Sequence, residues 1–307
     1  MWLALKLLAA VVFYGAAIEP RLVHRVDQVA KIPNLPAAWE HRQIAVFADI
    51  QIGMWWANTD AVRRIVGDVV QIRPAAVLLA GDFVYNADSI SVEMQMADVL
   101  ALLHPLLENG LPSYAVLGNH DYSLMNEHSD KENYIARRVR LKLDSAGIKM
   151  LDNRSIALVI PRSVAADSGA AIAPVDTAAS AQLYLVGIGD KWAKNDRTEA
   201  AFGAVPAGAA RIVFMHDPDS FVKIPAGQAP LAIAAHTHAM QLDVPWVSDW
   251  LWRRYFSNTG SGLAGWVTTH GQPGNRLYVN RGIGFSIVPV RINAVPELTI
   301  FTLERAK

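Results

Sequence analysis

Three apolar runs in the first half of the chain limit its fold more than any other feature: "IAVFAD", "AAVLLAGD" and "YAVLGNHD", each of strand length and each closing on a polar residue. Residues 60 to 73 separate the first run from the second, and residues 88 to 109 separate the second from the third. Both intervals read as helices, the longer one with apolar residues at helical spacing. Strands alternating with helices at this spacing form crossover units and a largely parallel sheet, with functional side chains at the carboxyl ends of the strands. A proline-bearing lead-in, residues 31 to 41, comes before them.

From about residue 148 the pattern changes. "IKMLDN", "SIALVIP" and "AQLYLVGIGD" read as neighbouring strands with no room for helices between them, which predicts an antiparallel portion of a second sheet. Residues 163 to 181 are rich in small residues and read as a flexible hairpin loop. Further strands are expected at "ARIVFMHD", "PLAIAAHTH", "NRLYVN" and "ELTIFTLE", and there is no internal repeat.

At 307 residues and 52% hydrophobic content the chain has ample material for a large α/β core. Lys+Arg and Asp+Glu are equal at 28 each, so the basic footprint of a nucleic-acid binder is missing and no nucleic-acid partner is expected. Cysteine is absent, which removes disulfides, thiolate metal sites and cysteine nucleophiles together.

Residues 1 to 20 form a hydrophobic segment interrupted only by Lys6 until "EPR", and they read as a membrane anchor or signal-like segment. An amphipathic first helix packed on the domain is the alternative. Arg21, His24, Arg25 and Lys31 follow the segment, so the positive-inside rule favours a membrane-associated protein with its main domain in the cytoplasm; a periplasmic or exported protein is the other reading. The main domain is expected over residues 42 to 307, with a tryptophan-rich cap at about 243 to 270. That cap carries Trp246, Trp250, Trp252 and Trp266 beside Arg253, Arg254 and Tyr255, a composition suited to a membrane interface containing anionic lipid, or to simple packing on the sheets.

The polar residues at the strand ends form an ordered set: Asp49 and Gln51, Asp82 in "AGD", Asn119 and His120 in "GNHD", His216 in "FMHDP", and His236 and His238 in "AHTHAMQ". Singly, Gly-Asp and Gly-Asn are ordinary turn formers, and His216 before "DPD" fits the start of a helix. Five strand ends terminating in hard-oxygen or imidazole donors are what a site for two divalent cations requires. Along a strand the outer residues of "DIQ" and "HTH" face the same way, so each tripeptide offers two donors. His41, His104, His128 and His270 read as surface or helix residues, and Trp55 and Trp56 as pocket lining or core.

This series, D-x-(H), GD, GNH, a lone His and HxH in that order, resembles the calcineurin-like metallophosphoesterase superfamily over residues 44 to 304. The stretches "RIVFMHDPDSF" and "LYVNRGIGFSIVPVRINAVPELTIFTL" resemble its membrane-associated bacterial branch, which includes proteins similar to UDP-diacylglucosamine pyrophosphatases. The resemblance implies a four-layer α/β/β/α sandwich of two mixed sheets with a dinuclear metal site at the strand ends. It places Asp49, Gln51, Asp82 and His238 around one metal and Asp82, Asn119, His216 and His236 around the other, with Asp82 as the bridge. His120 would be the catalytic histidine beside the scissile phosphate, oriented by Asp121 or leaving Asp121 to cap the next turn.

The implied activity is metal-dependent hydrolysis of a phosphodiester or pyrophosphate in a phosphorylated small-molecule or lipid substrate at a membrane surface, such as a nucleotide-linked glycolipid. The implied cofactors are two divalent ions, manganese first, with iron, zinc or magnesium as alternatives. The chain departs from the family pattern in having Gln51 where histidine is usual and "AHTHAMQ" where the pattern is glycine-rich. A neutral amide oxygen binds a borderline cation less well than imidazole does, so the first site is expected to hold its metal more weakly. A catalytically impaired metal-binding scaffold or regulator is the alternative function.

Overall fold

The computed structural model describes residues 2–158, 182–267 and 270–306. The loop expected at 163 to 181 and the end of the strand expected at "SIALVIP" lie outside the described residues.

The alternating half of the chain folds as its periodicity requires. Strands β2 (Gln43–Phe47), β3 (Ala76–Ala80) and β4 (Ser113–Val116) run parallel in one sheet. Helices α2 (Thr59–Ile72) and α3 (Ser91–Glu108) cross between them. In α2 the buried side chains Ala61, Val62, Ile65, Val66 and Val69 recur at the three- and four-residue spacing that lines one helix face. A further helix, α4 (Asn133–Ala146), was not among the expected elements; its apolar Ile135, Ala136, Val139 and Leu143 share a face but are diluted by arginines and lysines.

The first sheet has the order β1-β12-β2-β3-β4-β5, where β1 is His24–Ile32, β5 is Lys149–Met150 and β12 is Glu297–Arg305. Strand β12 lies antiparallel to β2 and parallel to β1. The basic residues Arg25 and Lys31 therefore belong to a sheet strand that precedes residue 42. "IKMLDN" departs from expectation in joining this sheet beside β4, because the chain crosses to the other layer only after Leu151, whose N–H is held by Ala115 O.

The second sheet has the order β10-β11-β9-β8-β7-β6. Its strands are β6 (Arg154–Ala157), β7 (Leu183–Gly187), β8 (Ala210–Phe214), β9 (Ala232–Ala234), β10 (Gly265–Val267) and β11 (Leu277–Val279). Among the described residues, antiparallel pairing in this sheet occurs only at its two edges, β6 with β7 and β10 with β11. Both sheets are thus mixed.

Alternate residues of each strand serve different layers. Ala45 and Phe47 of β2 pack with α2, α3 and α4, whereas Ile44 and Val46 pack against Leu185, Ile212 and Ile233 of the second sheet. The outer face of that sheet is covered by Phe221, Ile224 and the short helix Thr198–Phe202. The result is the helix, sheet, sheet, helix stack expected for the family.

Helix α1 (Trp2–Phe13) buries none of its side chains, and it continues through a wide turn (Tyr14–Ile18) and a tight one (Glu19–Arg21). The run Trp2–Arg21 has 20 residues and a mean hydropathy of 1.7, long and apolar enough to cross a membrane. It is not the packed amphipathic helix of the alternative reading. Only its root touches the domain: Arg291 N–H donates to Gly15 O at 2.8 Å and Ala294 N–H to the buried Glu19 Oε1 at 2.6 Å.

Candidate metal centre

The donor residues lie just past the strand ends, in loops bent by left-handed backbone. Asp49, Gln51, Asp82, His236 and His238 have φ of 56°, 47°, 57°, 74° and 50°. The pleat of a strand therefore does not align "DIQ" and "HTH", because β2 stops at Phe47 and β9 at Ala234. The turns themselves present the outer residues, while Ile50 enters the core and the Thr237 hydroxyl donates to Leu263 O at 2.6 Å. Non-glycine residues at positive φ carry strain, and its concentration here marks a place where side-chain direction outweighs backbone comfort.

The loops are fastened to one another before any side chain is considered. Asp49 N–H donates to Gly81 O at 3.0 Å and Gln51 N–H to Asp82 O at 2.9 Å. Asp121 is fully buried and clamps two loops: Oδ2 accepts from the backbone of Asp82 (3.0 Å) and Gly118 (2.9 Å), and Oδ1 from Phe83 (2.9 Å) and Val84 (3.2 Å). It does not hold the His120 ring, whose Nδ1 has no partner. Glycine is required in the GN turn because a Cβ at Gly118 would lie 2.2 Å from Asp82 Oδ1.

Two sets of donor atoms converge, and Asp82 belongs to both. In one, His216 Nε2 lies 3.2 Å from each of Asp82 Oδ2, Asn119 Oδ1 and His236 Nδ1. His216 Nδ1–H donates to Ala80 O at 2.7 Å, which points Nε2 at the other donors, and Asn119 Nδ2 donates to Leu124 O at 2.9 Å, which turns Oδ1 inward. In the other set the Gln51 amide nitrogen lies 3.2 Å from Asp82 Oδ2 and 3.1 Å from His238 Nε2, and Asp49 Oδ1 lies 3.6 Å from His238 Nε2. Neighbouring ligands on one ion at bonds of about 2.1 Å stand about 3 Å apart, so these separations fit a coordination shell. Every expected metal residue is therefore in one cluster, and Asp82, His216, His236 and Asp49, Asp82, His238 each meet within 4.8 Å.

The residues also fit a cation by what they lack. Both carboxylate oxygens of Asp49 are buried without a hydrogen-bond partner, a costly arrangement unless a positive charge is held there. Burial, reinforced by the charge of Asp82, pushes Asp49 up to about 7. Burial also opposes ionisation of Asp82, but the imidazoles of His216 and His120 overcome it and hold the carboxyl well below the usual range. His216 is pulled down by burial and raised well above its ordinary value by Asp82 and Asp49. Burial and the charge on His216 push His236 down to about 3, and burial with the Arg291 guanidinium pushes His238 well down. Two buried carboxylates among imidazoles form a frustrated set that divalent cations relieve.

His120 sits beside this cluster, buried, with its N–H on Asp82 Oδ1 at 2.9 Å and its ring stacked on Tyr85 at 4.9 Å. Burial lowers its pKa. The site opens into a cleft of about 760 Å³ whose floor includes Asp82, Asn119, His120, His236 and His238. The walls are largely apolar, among them Trp192, Met240, Trp252, Phe256 and Ile287. Trp55 and Trp56 are exposed and lie neither in the core nor along the cleft. His216 does not start the following helical turn; Asp217 does, accepting from Asp219 N–H at 2.8 Å.

Arg291, Tyr85 and Trp192 adjoin the cluster but belong to none of the sequence motifs. Arg291 is fully buried, donates to Gly284 O and Ala294 O, and places Nη2 3.2 Å from His238 Nδ1. Its only trace in the sequence is the resemblance of "VPVRINAVPELTIF" to the membrane-associated branch.

Two mixed sheets between helices, with paired Asp and His clusters at the strand ends, define a dinuclear-metal phosphohydrolase. The chain belongs to the calcineurin-like phosphoesterase family, whose model matches residues 42–240. It is 23% identical to the uncharacterized metallophosphoesterase YkuE of Bacillus subtilis, over 95% of this chain and 89% of that protein. It is 29% identical to phosphodiesterase YaeI of Escherichia coli over 76% of this chain and 72% of that one. It is 22% identical to the UDP-2,3-diacylglucosamine pyrophosphatase LpxG of Chlamydia trachomatis, covering 92% of this chain and 90% of the relative. A dimetal phosphatase structure from Danio rerio aligns over 86% of this chain and 93% of its own at 12% identity, with a TM-score of 0.44.

Proposed function

We propose that the protein hydrolyses a phosphodiester or pyrophosphate in a membrane-associated substrate, with a nucleotide-linked glycolipid as the preferred candidate. The observation that carries the chemistry is the sharing of Asp82 by two converging donor sets. Asp49, Gln51, Asp82 and His238 would hold one cation, and Asp82, Asn119, His216 and His236 the other. Two divalent ions there, manganese by preference, would supply an activated water and neutralise charge on the phosphate. Gln51 serves through Oε1 once its amide is turned over, since nitrogen and oxygen of an amide exchange places by half a rotation.

The chain's own residues do the rest. His120, on the cleft floor, would stand beside the phosphate and either protonate the leaving oxygen or stabilise the charge of the transition state. Asp82 accepts His120 N–H and so fixes that histidine's backbone against the shared donor. Trp192 and Trp252, packed edge-on to His236 at 4.9 Å and 6.2 Å, exclude bulk water from the second set. Support for a lipid-linked substrate comes from the apolar cleft walls, the exposed apolar helix α1 and the pyrophosphatase activity in the names of the LpxG relatives.

The test is hydrolysis of bis(p-nitrophenyl) phosphate by manganese-loaded protein, wild type beside Asp82→Asn in one detergent buffer. Turnover that disappears in the variant supports the reading. A wild type that binds manganese and turns over neither this diester nor a lipid pyrophosphate defeats it in favour of a scaffold, the alternative that Gln51 keeps open.

A further inference from the structure

The cleft is not sealed at its rim. Phe256, Ile287 and Val288 line it and are exposed as well, Ile287 by 74%. The rim continues on one side into the cap, where Leu242, Val244, Trp246, Val247, Trp250 and Tyr255 are also exposed, Trp246 by 89%. Gln241 joins the two stretches: its Nε2 donates to Val288 O and Val290 O at 2.6 and 2.7 Å, and its Oε1 accepts from Ser286 N–H at 2.6 Å.

On the other side the same segment holds the root of α1. Arg291 N–H binds Gly15 O, and a Cβ at Gly15 would lie 2.7 Å from Ile292 Cγ1, so the helix leaves the domain in close contact with residues 290 to 294. No polar spacer intervenes. Phe13 and Tyr14 are exposed apolar residues only one or two positions, about 3 Å of helix rise at most, before docked Gly15. Wherever α1 enters lipid, the loop at its root is carried to the interface with it.

The charge of this face decides what kind of membrane contact it makes. Residues 242 to 256 contain Asp243, Asp249, Arg253 and Arg254, which cancel. Arg253 is spent on Asp249 Oδ2 at 2.7 Å and Gly260 O at 2.9 Å, and Arg254 lies over the Tyr255 ring. Arg254 stays exposed and charged, so the face keeps one cation but no basic cluster. The rest of it is chiefly aromatic and aliphatic.

We infer that the cap and the 286–290 loop insert together into the lipid bilayer as an apolar footprint of no net charge. The substrate's acyl chains then pass from the membrane between Phe256 and Ile287 into the cleft without crossing water. This rests on the reading of a lipid-linked substrate for the acyl path, while the bilayer contact stands by itself.

The experiment uses the full chain reconstituted in phosphatidylcholine vesicles, with and without brominated acyl chains, and compares wild type with Trp246→Ser/Trp250→Ser. Neither tryptophan lines the cleft. Bromine quenching of tryptophan fluorescence should be stronger in the wild type, undiminished by salt, with Trp2 in α1 quenched in both. Hydrolysis of a vesicle-borne diacylglycerol p-nitrophenyl phosphate should fall about tenfold in the variant while soluble bis(p-nitrophenyl) phosphate is cleaved at the wild-type rate. Equal quenching in the two proteins, or quenching confined to anionic vesicles and removed by salt, overturns the footprint. A quenching difference with no hydrolysis of either diester by wild type upholds the footprint and defeats the phosphoesterase reading instead.

Discussion

The two donor sets that meet at Asp82 are built differently. In the set with His216, each donor is aimed before a cation arrives: His216 Nδ1–H is tied to Ala80 O and Asn119 Nδ2 to Leu124 O. In the set with His238, the neighbour of Nδ1 is Arg291, which can only donate, so Nδ1 accepts and the proton of a neutral ring sits on Nε2. That proton faces Gln51 and Asp49, where the proposed cation would bind. One set is preorganised for a cation and the other must rearrange, so the two positions should differ in affinity.

Removing the shared residue abolishes the comparison. Asp82→Asn should lower hydrolysis of a generic diester at least about 10³-fold and reduce metal content at both positions, read by turnover and elemental analysis on the same sample. Retention of either metal at full occupancy would show that Asp82 is not common to both.

Arg291→Leu tests whether the guanidinium props up the first set. It strands Gly284 O and Ala294 O inside the domain, and a loss of about 3–5 kcal/mol of stability by denaturant titration is expected. Arg291→Lys should keep the fold and shift metal affinity alone.

A smaller effect separates the sets directly. Asn119→Ala should cost about 10²-fold in turnover, and Gln51→Ala about tenfold, because only Asn119 is held in its ligating rotamer. Gln51→His should tighten the weaker position and narrow the gap between two manganese dissociation constants measured by titration. Unchanged affinity would mean that Gln51 is not a ligand.

The smallest effect concerns the cap beyond the second set. Asp219 accepts hydrogen bonds from Ser257, Thr259 and Ser261, tying the cap to the loop after β8. Burial opposes its ionisation, but these hydroxyls and Lys191 hold it at about 2. A carboxyl depressed below its unfolded value of about 3.9 contributes stability above that pH and loses it as pH falls toward the folded value. Acid between about pH 4 and 2 should therefore loosen the cap in wild type, and Asp219→Asn should remove that step from a tryptophan-fluorescence titration.

Much of the site was legible because its donors are chemically conspicuous. His236 and His238 at the end of an apolar strand, and the carboxylates and amides closing three others, name the candidate metal residues without coordinates. Strand alternation does not align "DIQ" and "HTH", because it fails where φ is positive and a single tripeptide does not reveal its backbone. Asp121 reads in sequence as an orienter of His120 or a cap on the next turn, yet its four N–H donors come partly from a loop 37 to 39 residues earlier.

The sequence by itself determined the alternation of strands and helices, the order of the donors and the absence of a basic footprint, because these follow from periodicity, residue chemistry and counting. Only the tertiary structure decided that "IKM" joins the first sheet, that Arg291 lies against His238 and that Arg253 is already occupied. Each of those depends on a partner distant in sequence or on a choice between two neighbours, and a local pattern carries no information about which neighbour wins.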